Sequence, residues 1–539
     1  MASNLLPECL EKIFTDLLNP IKPIFSNSVE TCEIKDLYSC TLVSRYWCQI
    51  STPILYSSPF HHFRHLKGGK KPQMGKDFQD YYKLIRTLLT CIPCSEIEEI
   101  VKFVCEKGST IELIGSTGSP TFNYVKFIRE LHFDEKFFLN HGKEIWNPSY
   151  ILIKDPDTIN SKLYDSIINH LVKYLFKNCN SLIRLEILRK RLQVDLMKSL
   201  AKDRLNGLKK LTLKEPGKVR YENDEMASII QYYIILSTAT SNLEILHNNE
   251  IISHEHANAL SSLISAQKKL KHIILSDDLR AIVTNFQLSG WYNIVFNSLS
   301  TQKGWLERLE LISLSFEDIN NEAINSLCTL KQLKELRFEM CKFLRVNLLQ
   351  DWTESLSNLK VLEYKAFSPS YYTYDFEFLT LIFKSCSNTL KKLVLDYNRT
   401  IDQEMSLVKD ILIHSQFLTH LELPQIFPHE LRNIFKSCTE LVYFSLILAY
   451  HGGWEPVLGH IGKYVPNSVE MIQFREMEFL EITSKTFQYF LEGCVNNNGS
   501  KLKLLEITGK CNLSKDFFDA ATHSKVQLIK SGTRGRESC

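Results

Sequence analysis

One hydrophobic pattern recurs from the first third of the chain to its C-terminal end. An apolar residue is followed by two variable positions, a second apolar residue, one variable position and a third apolar residue. It occurs as Ile128-Leu131-Phe133, Leu182-Leu185-Ile187, Leu208-Leu211-Leu213, Leu270-Ile273-Leu275, Leu306-Leu309-Leu311 and Leu333-Leu336-Phe338. It continues as Leu359-Leu362-Tyr364, Leu390-Leu393-Leu395, Leu418-Leu421-Leu423, Leu441-Phe444-Leu446, Val469-Ile472-Phe474 and Leu502-Leu505-Ile507. A weaker copy, Leu243-Leu246, has Asn248 in the third apolar place. From Leu182 to Leu502 the spacing averages roughly 29 residues, a period that signals a repeat array. The alternating part predicts a short strand with one buried face. Between copies lie helical stretches such as NALSSLISAQ, FLTLIFKSC and LRNIFKSC. A strand, a turn and a return helix make one coil, and a coil buries its leucines only against its neighbours. The expected fold is therefore α/β: a solenoid with parallel strands on its concave side and helices on its convex side.

The first sixty residues follow a different pattern. Leu6, Leu10, Ile13, Leu17 and Leu18 fall at helical spacing. Pro7 suits a first helical turn and Glu8 its positive dipole end, while Pro20 and Pro23 stop the helix. Asp36 is expected to cap a second helix carrying Leu37, Cys40 and Val43, and Ser44 a third carrying Trp47 and Ile50. Three helices this short have more apolar surface than they can bury among themselves, so the small bundle should complete its core against something else. The predicted organisation is a bundle over 1–60, a linker and helical cap over 61–120, the solenoid over 121–525 and a fraying polar tail over 526–539. Asp134 to Pro156 reads as an inserted loop, and His61 to Lys76 as a basic, solvated one.

Composition narrows the function classes. The 539 residues are 44% hydrophobic and 23% charged, as in a folded globular chain, and the net charge of +3 argues for neither a nucleic-acid nor a membrane surface. Fifteen cysteines without an apolar leader indicate free thiols in a reducing compartment, hence the cytoplasm and/or nucleus. Candidate chemistry is thin. Cys91-Ile-Pro-Cys94 lacks a second pair at zinc spacing. His254-Glu255-His256-Ala257-Asn258 places Asn where a metalloprotease helix needs its second His, and is expected to be a solvated turn beside His247 and Glu250. Gly115 to Gly118 lacks the Lys-Ser/Thr end of a phosphate loop. The expectation is no catalysis, no metal and no cofactor; an enzyme site in the 134–156 insertion or the His247–His256 turn is the reading to be tested against it.

At Leu6, Pro7, Ile13, Phe14, Leu37, Cys40, Val43 and Trp47 the N-terminal stretch resembles an F-box, with a long break, Asn19 to Cys32, between its halves. Cys179, Cys386 and Cys438, each three or four residues before a strand, resemble the cysteine-containing class of leucine-rich repeats, which is commonly joined to F-boxes. The resemblance implies that those eight residues dock a Skp-family adaptor and, through it, a cullin–RING ubiquitin ligase, while the solenoid holds a substrate protein. A repeat scaffold that recruits no ligase is the alternative. Deleting residues 1–60 is then expected to leave the solenoid folded.

The two variable positions flanking each central apolar residue should point out of the core. One column runs Arg184, Lys210, Ile245, His272, Arg308, Glu335, Val361, Lys392, His420, Tyr443, Met471, Leu504. The other runs Glu186, Thr212, His247, Ile274, Glu310, Arg337, Glu363, Val394, Glu422, Ser445, Gln473, Glu506. They predict a substrate face with a charged middle (Arg308, Glu310, Arg337, Glu363, Lys392, His420, Glu422) and an exposed apolar anchor at Tyr443 and Met471.

Overall fold

The computed structural model describes residues 5–18, 34–60, 83–85, 87–93, 95–96, 111–113, 121–132, 151–153, 161–188, 194, 197–198, 204–214, 223–251, 253–277, 290–366, 376–397, 405–447, 454–475, 482–496, 499–509 and 513–531. The chain forms two compact units, one of residues 1–248 with 262–269, the other of 249–261 with 270–539.

The first unit opens on three helices, α1 (Pro7–Leu18), α2 (Ile34–Thr41) and α3 (Arg45–Leu55). Pro7 stands at the first helical position, and the Ser44 hydroxyl caps α3 by accepting from Trp47 N at 3.1 Å. Asp36 is not a cap: α2 starts two residues earlier, so its carboxylate sits in the first turn, where the helix dipole favours it. Strands β1 (Ile111–Leu113) and β3 (Ile151–Ile153) pair antiparallel, so the predicted inserted loop contains a strand. The remaining strands of this unit, β2 (Glu130–His132), β4 (Arg184–Leu188), β5 (Lys210–Lys214) and β6 (Ile245–Asn248), pair in parallel in that order. Asn248 fills the third apolar place of the weak copy and is fully buried; the hydroxyl of Tyr233 donates to its Oδ1, which removes the penalty of an unpaired amide.

Among the described residues the second unit holds ten parallel strands: β7 (His272–Ser276), β8 (Arg308–Ile312), β9 (Glu335–Glu339), β10 (Val361–Ala366), β11 (Lys392–Tyr397), β12 (His420–Gln425), β13 (Tyr443–Ile447), β14 (Met471–Arg475), β15 (Leu504–Thr508) and β16 (Gln527–Ser531). Successive helices pack side by side from Trp291–Leu299 to Lys515–His523, one between each strand and the next. Each unit is thus a stack of strand–helix coils of the leucine-rich repeat type. The central apolar position of each copy from Ile273 to Leu505 is closed to solvent. β16 corrects the domain boundary: 527–531 pair with β15, because Leu528 repeats the inward position of Leu505, and 526 does not begin a polar tail.

Two devices bind coil to coil. One carbonyl just before most of the strands accepts the N–H groups of two residues on the next coil, as Glu307 O does from Lys334 (2.8 Å) and Glu335 (3.0 Å). In the second unit an aromatic series adds to this: Phe296 stacks on Phe316 at 5.9 Å, Phe316 on Trp352 at 6.4 Å, and Phe338 meets Phe378 edge-on at 5.5 Å. Cys179, Cys386 and Cys438 are fully buried, and burial pushes each thiol up to about 12, so they pack as small apolar groups.

The bundle joins its stack by the same rule. Ser57 O, just past α3, accepts from Arg129 N (2.8 Å) and Glu130 N (3.0 Å), as Arg129 O in turn accepts from Ile183 N and Arg184 N. Tyr56 lies against Tyr124 with ring centroids 4.4 Å apart. Residues 56–60 therefore stand where a preceding coil would, and cap β2. Removing residues 1–60 strips that cap, so a truncation test of the bundle would also perturb the first repeat.

Candidate interaction surfaces

The bundle separates the eight residues of the F-box-like pattern into two sets. Phe14 and Leu37 are fully buried with Leu10, and Cys40 and Trp47 pack half-buried around them. Phe14 and Trp47 meet edge-to-face at 5.3 Å, and Tyr46 donates from its hydroxyl to Leu5 O at 2.9 Å. Leu6 (65% exposed), Pro7, Ile13 and Val43 instead face outward. Tyr38 and Leu42 (70% exposed) join this set. The sequence reading missed both: Tyr38 follows Leu37 on α2, and Leu42 stands in the turn just past its end. Among the described residues these six form an exposed apolar set on a small bundle. Phe14→Ala is expected to cost about 3–5 kcal/mol of bundle stability. Leu42→Asp should shift it by less than about 0.5 kcal/mol. Hydrogen exchange of α1–α3 amides in the two variants checks the division.

The two outward columns form true ladders. His272, Arg308, Glu335, Val361, Lys392, His420, Tyr443, Met471 and Leu504 stand in register across β7–β15. So do Ile274, Glu310, Arg337, Glu363, Val394, Glu422, Ser445, Gln473 and Glu506.

The charged middle is largely paired with itself. Glu310, buried, is its hub: it accepts from His272 Nε2 and from Arg308 Nε, both at 2.8 Å, and from Arg337 Nη1 at 3.3 Å. Burial pushes its carboxyl up, but the His272 hydrogen bond and the Arg308, His272 and Arg337 charges outweigh this and bring it down to about 2. Arg308 also donates to Glu335 (2.8 Å), Arg337 pairs with Glu339, and Lys392 donates to Glu363 (2.7 Å). Burial likewise raises the Glu363 carboxyl, and the Lys392 hydrogen bond together with the Lys392, Lys365 and Arg337 charges more than reverses it. Arg308, Glu335 and Lys392 keep part of their surface open on the rim of this network.

The apolar anchor expected at Tyr443 and Met471 is not open. Tyr443 is 6% and Met471 2% exposed. The Tyr443 and Ser445 hydroxyls both donate to Gln473 Oε1 at 2.9 Å, and Gln473 Nε2 donates to Glu506 at 2.8 Å. Arg475 reaches across β13 to donate to Leu423 O at 2.7 Å. These side chains lie along the strands because their polar tips find partners there, and the sheet is covered where it was expected to be open. His420 rests 5.9 Å from the Tyr443 ring, half-buried, and burial followed by the Lys392 charge lowers its imidazole. Glu422 is half-buried beside them.

The motifs set aside in the sequence fall as follows. His254 opens a helix, His254–Ser265, rather than sitting in a turn; its ring lies 3.1 Å from Asn258 Nδ2 and His256 is buried. Cys91 is half-buried, its thiol pushed up by burial, while Cys94 and Gly115–Gly118 lie outside the described residues. Among the described residues no group of three His, Cys, Asp or Glu side chains converges as metal ligands would, and no helix is long and apolar enough to cross a membrane.

No protein-family model matches the chain, and no curated protein does. Among solved structures, it is similar to the leucine-rich repeat-containing protein LegL7 from Legionella pneumophila, at 12% identity over 54% of this chain and 91% of that one, with a TM-score of 0.37. It is also similar to the structure of a TLR13–ssRNA13 complex, at 16% identity over 68% of this chain and 55% of that one, with a TM-score of 0.29.

Proposed function

We propose that this chain is the substrate-recognition subunit of a Skp–cullin–F-box type ubiquitin ligase, a protein that performs no chemistry itself. Its bundle docks a Skp-family adaptor and, through it, a cullin–RING ligase. Its repeat stacks hold a substrate protein, in the cytoplasm or nucleus. The mechanism is proximity: substrate lysines are held at high local concentration beside an activated ubiquitin. The observation that carries the reading is the outward apolar set Leu6, Pro7, Ile13, Tyr38, Leu42 and Val43, beside an already closed core of Leu10, Phe14 and Leu37. On this reading Phe14, Leu37, Cys40 and Trp47 support docking from behind rather than touching the adaptor. On the strand faces, Arg308, Glu335 and Lys392 are the charged groups best placed to meet a substrate.

The Ser57 cap favours a second reading, in which the bundle serves only to close the end of its stack and the chain is a scaffold. Pull-down of purified full-length chain with a purified Skp-family adaptor separates the two. The ligase reading expects the wild type to retain the adaptor and the Leu42→Asp, Val43→Asp double variant to weaken it by about thirtyfold or more. A wild-type chain that retains no adaptor would sink it.

A further inference from the structure

The strand ladders of the second unit are not equally long. Among the described residues, β10 and β11 pair from Val361 with Lys392 to Ala366 with Tyr397. β11 and β12 pair only from Lys392 with His420 to Val394 with Glu422, although both strands run on beyond. Every other neighbouring pair from β7 to β16 keeps more rungs. The sequence supplies the reason. His420 N donates to Lys391 O, so the next N–H groups of β12 to face β11 belong to residues 422 and 424. Residue 424 is Pro, which has no N–H, and the rung toward Leu395 is missing. The other side of β12 is irregular at the same place: its register with β13 shifts between Leu423 and Gln425.

One side chain crosses this gap. Arg475, on β14, reaches past β13, where Ile447 is its register partner. Its Nη2 donates to Leu423 O of β12 at 2.7 Å, and its Nη1 lies 3.8 Å from Asp396 Oδ2 of β11. The Arg475 and Asp396 side chains are largely buried, 17% and 20% exposed. Asp396 stands on the part of β11 that has lost its ladder to β12. The guanidinium therefore ties two strands whose own backbone rungs have ended, and it does so from a third strand. A hydrogen bond from an ionised donor, held largely out of water, is stronger than the neutral rung it replaces. Such a tie matters in a solenoid, where each coil is held only by its neighbours. The stack opens as one unit only while every interface between coils is strong, and it divides first at the weakest.

We propose that the second unit consists of two blocks, β7–β11 and β12–β16, which meet at a seam made by Pro424, and that Arg475 is the clasp that makes them fold and open as one. The seam separates the strands that carry Arg308, Glu335 and Lys392 from the covered strands β13–β15, so its opening parts those two regions of the strand face. The proposal is independent of adaptor binding, and so is its test.

The test is pulsed hydrogen exchange of the full-length chain across a urea series, read by mass spectrometry in peptides from β8–β9 and from β14–β15. The readout is whether the two sides unfold at one midpoint, not how stable either side is. The wild type is expected to give coincident curves. R475M should separate them by about 0.5 M urea or more. Asp396→Asn should separate them too, although Asp396 belongs to the first block; a side chain that merely stabilised its own strand β14 would not produce that result. Arg475→Lys keeps the charge but loses the planar fork, and should separate them less. Pro424→Val in the R475M chain restores the missing N–H and should bring the midpoints back together. Curves that are already separate in the wild type, or that stay coincident in R475M, would overturn the proposal. So would an Asp396→Asn chain that unfolds with one midpoint on both sides.

Discussion

Leu393→Asp is expected to unfold much of the second unit, with a loss above about 4 kcal/mol and soluble aggregates on gel filtration. Leu393 occupies the central inward place of β11 and is fully closed to solvent. On its own level it lies between Leu362 of β10 and Leu421 of β12. A carboxylate there has no partner, so it must either be buried charged or take up a proton and still lack a hydrogen bond. The damage spreads because a coil is stable only through its neighbours. Lys392→Ala, one residue away, is the control. Its side chain faces outward and gives up one half-exposed bridge to Glu363, a change of about 1 kcal/mol or less. A Leu393→Asp chain that melts like the wild type would show that the strand register is wrong.

Glu310→Ala should cost about 3–5 kcal/mol, the loss typical of removing one partner from a buried ion cluster. It leaves Arg308, Arg337 and His272 facing one another without their shared acceptor. Glu310→Gln should fall between, since an amide oxygen still accepts but the charge is gone. The pH dependence has a definite sign. The folded carboxyl lies at about 2, below its ordinary 4.5. Its stabilisation is therefore present above pH 4.5 and is lost as pH falls from there toward 2. Urea melts of wild type and Glu310→Gln at pH 6 and pH 3 read this directly: the gap between them should narrow at pH 3. A constant gap would mean that Glu310 does not carry the charge this network assigns to it.

That network also changes where a partner can be sought. The two columns read from the sequence did become ladders, because a period of two fixes which side chains share a face once the strands are parallel and in register. The pattern could not say whether those side chains meet each other or solvent. In β8–β11 they meet each other, across the spacing of adjacent strands, where opposite charges satisfy one another. In β13–β15 the tips of Tyr443, Ser445 and Gln473 do the same through hydrogen bonds. Hydropathy alone marks Tyr443 and Met471 as anchors. Only the positions of their neighbours hide them.

The bundle makes the same point at smaller scale. Leu6, just before α1, and Leu10, Ile13 and Phe14 on it are all apolar, and their spacing establishes the helix and its amphipathic face. Which of them turns inward depends on α2 and α3, which arrive from elsewhere in the chain and cover Leu10 and Phe14 but not Leu6 or Ile13.

What the sequence determined by itself is the repeating coil. Each leucine triplet dictates a strand with one buried face, and each intervening stretch a helix, because local periodicity is enough to choose between a period of two and one of 3.6. It also determined the three N-terminal helices and the Ser44 cap. Tertiary structure alone decided the rest. Ser57 became the cap of β2, residues 527–531 became a final strand, and Glu310 became the hub of a charge lattice. Each depends on contact between residues far apart along the chain, and the geometry of such contacts is set by how whole coils stack, which no local pattern encodes.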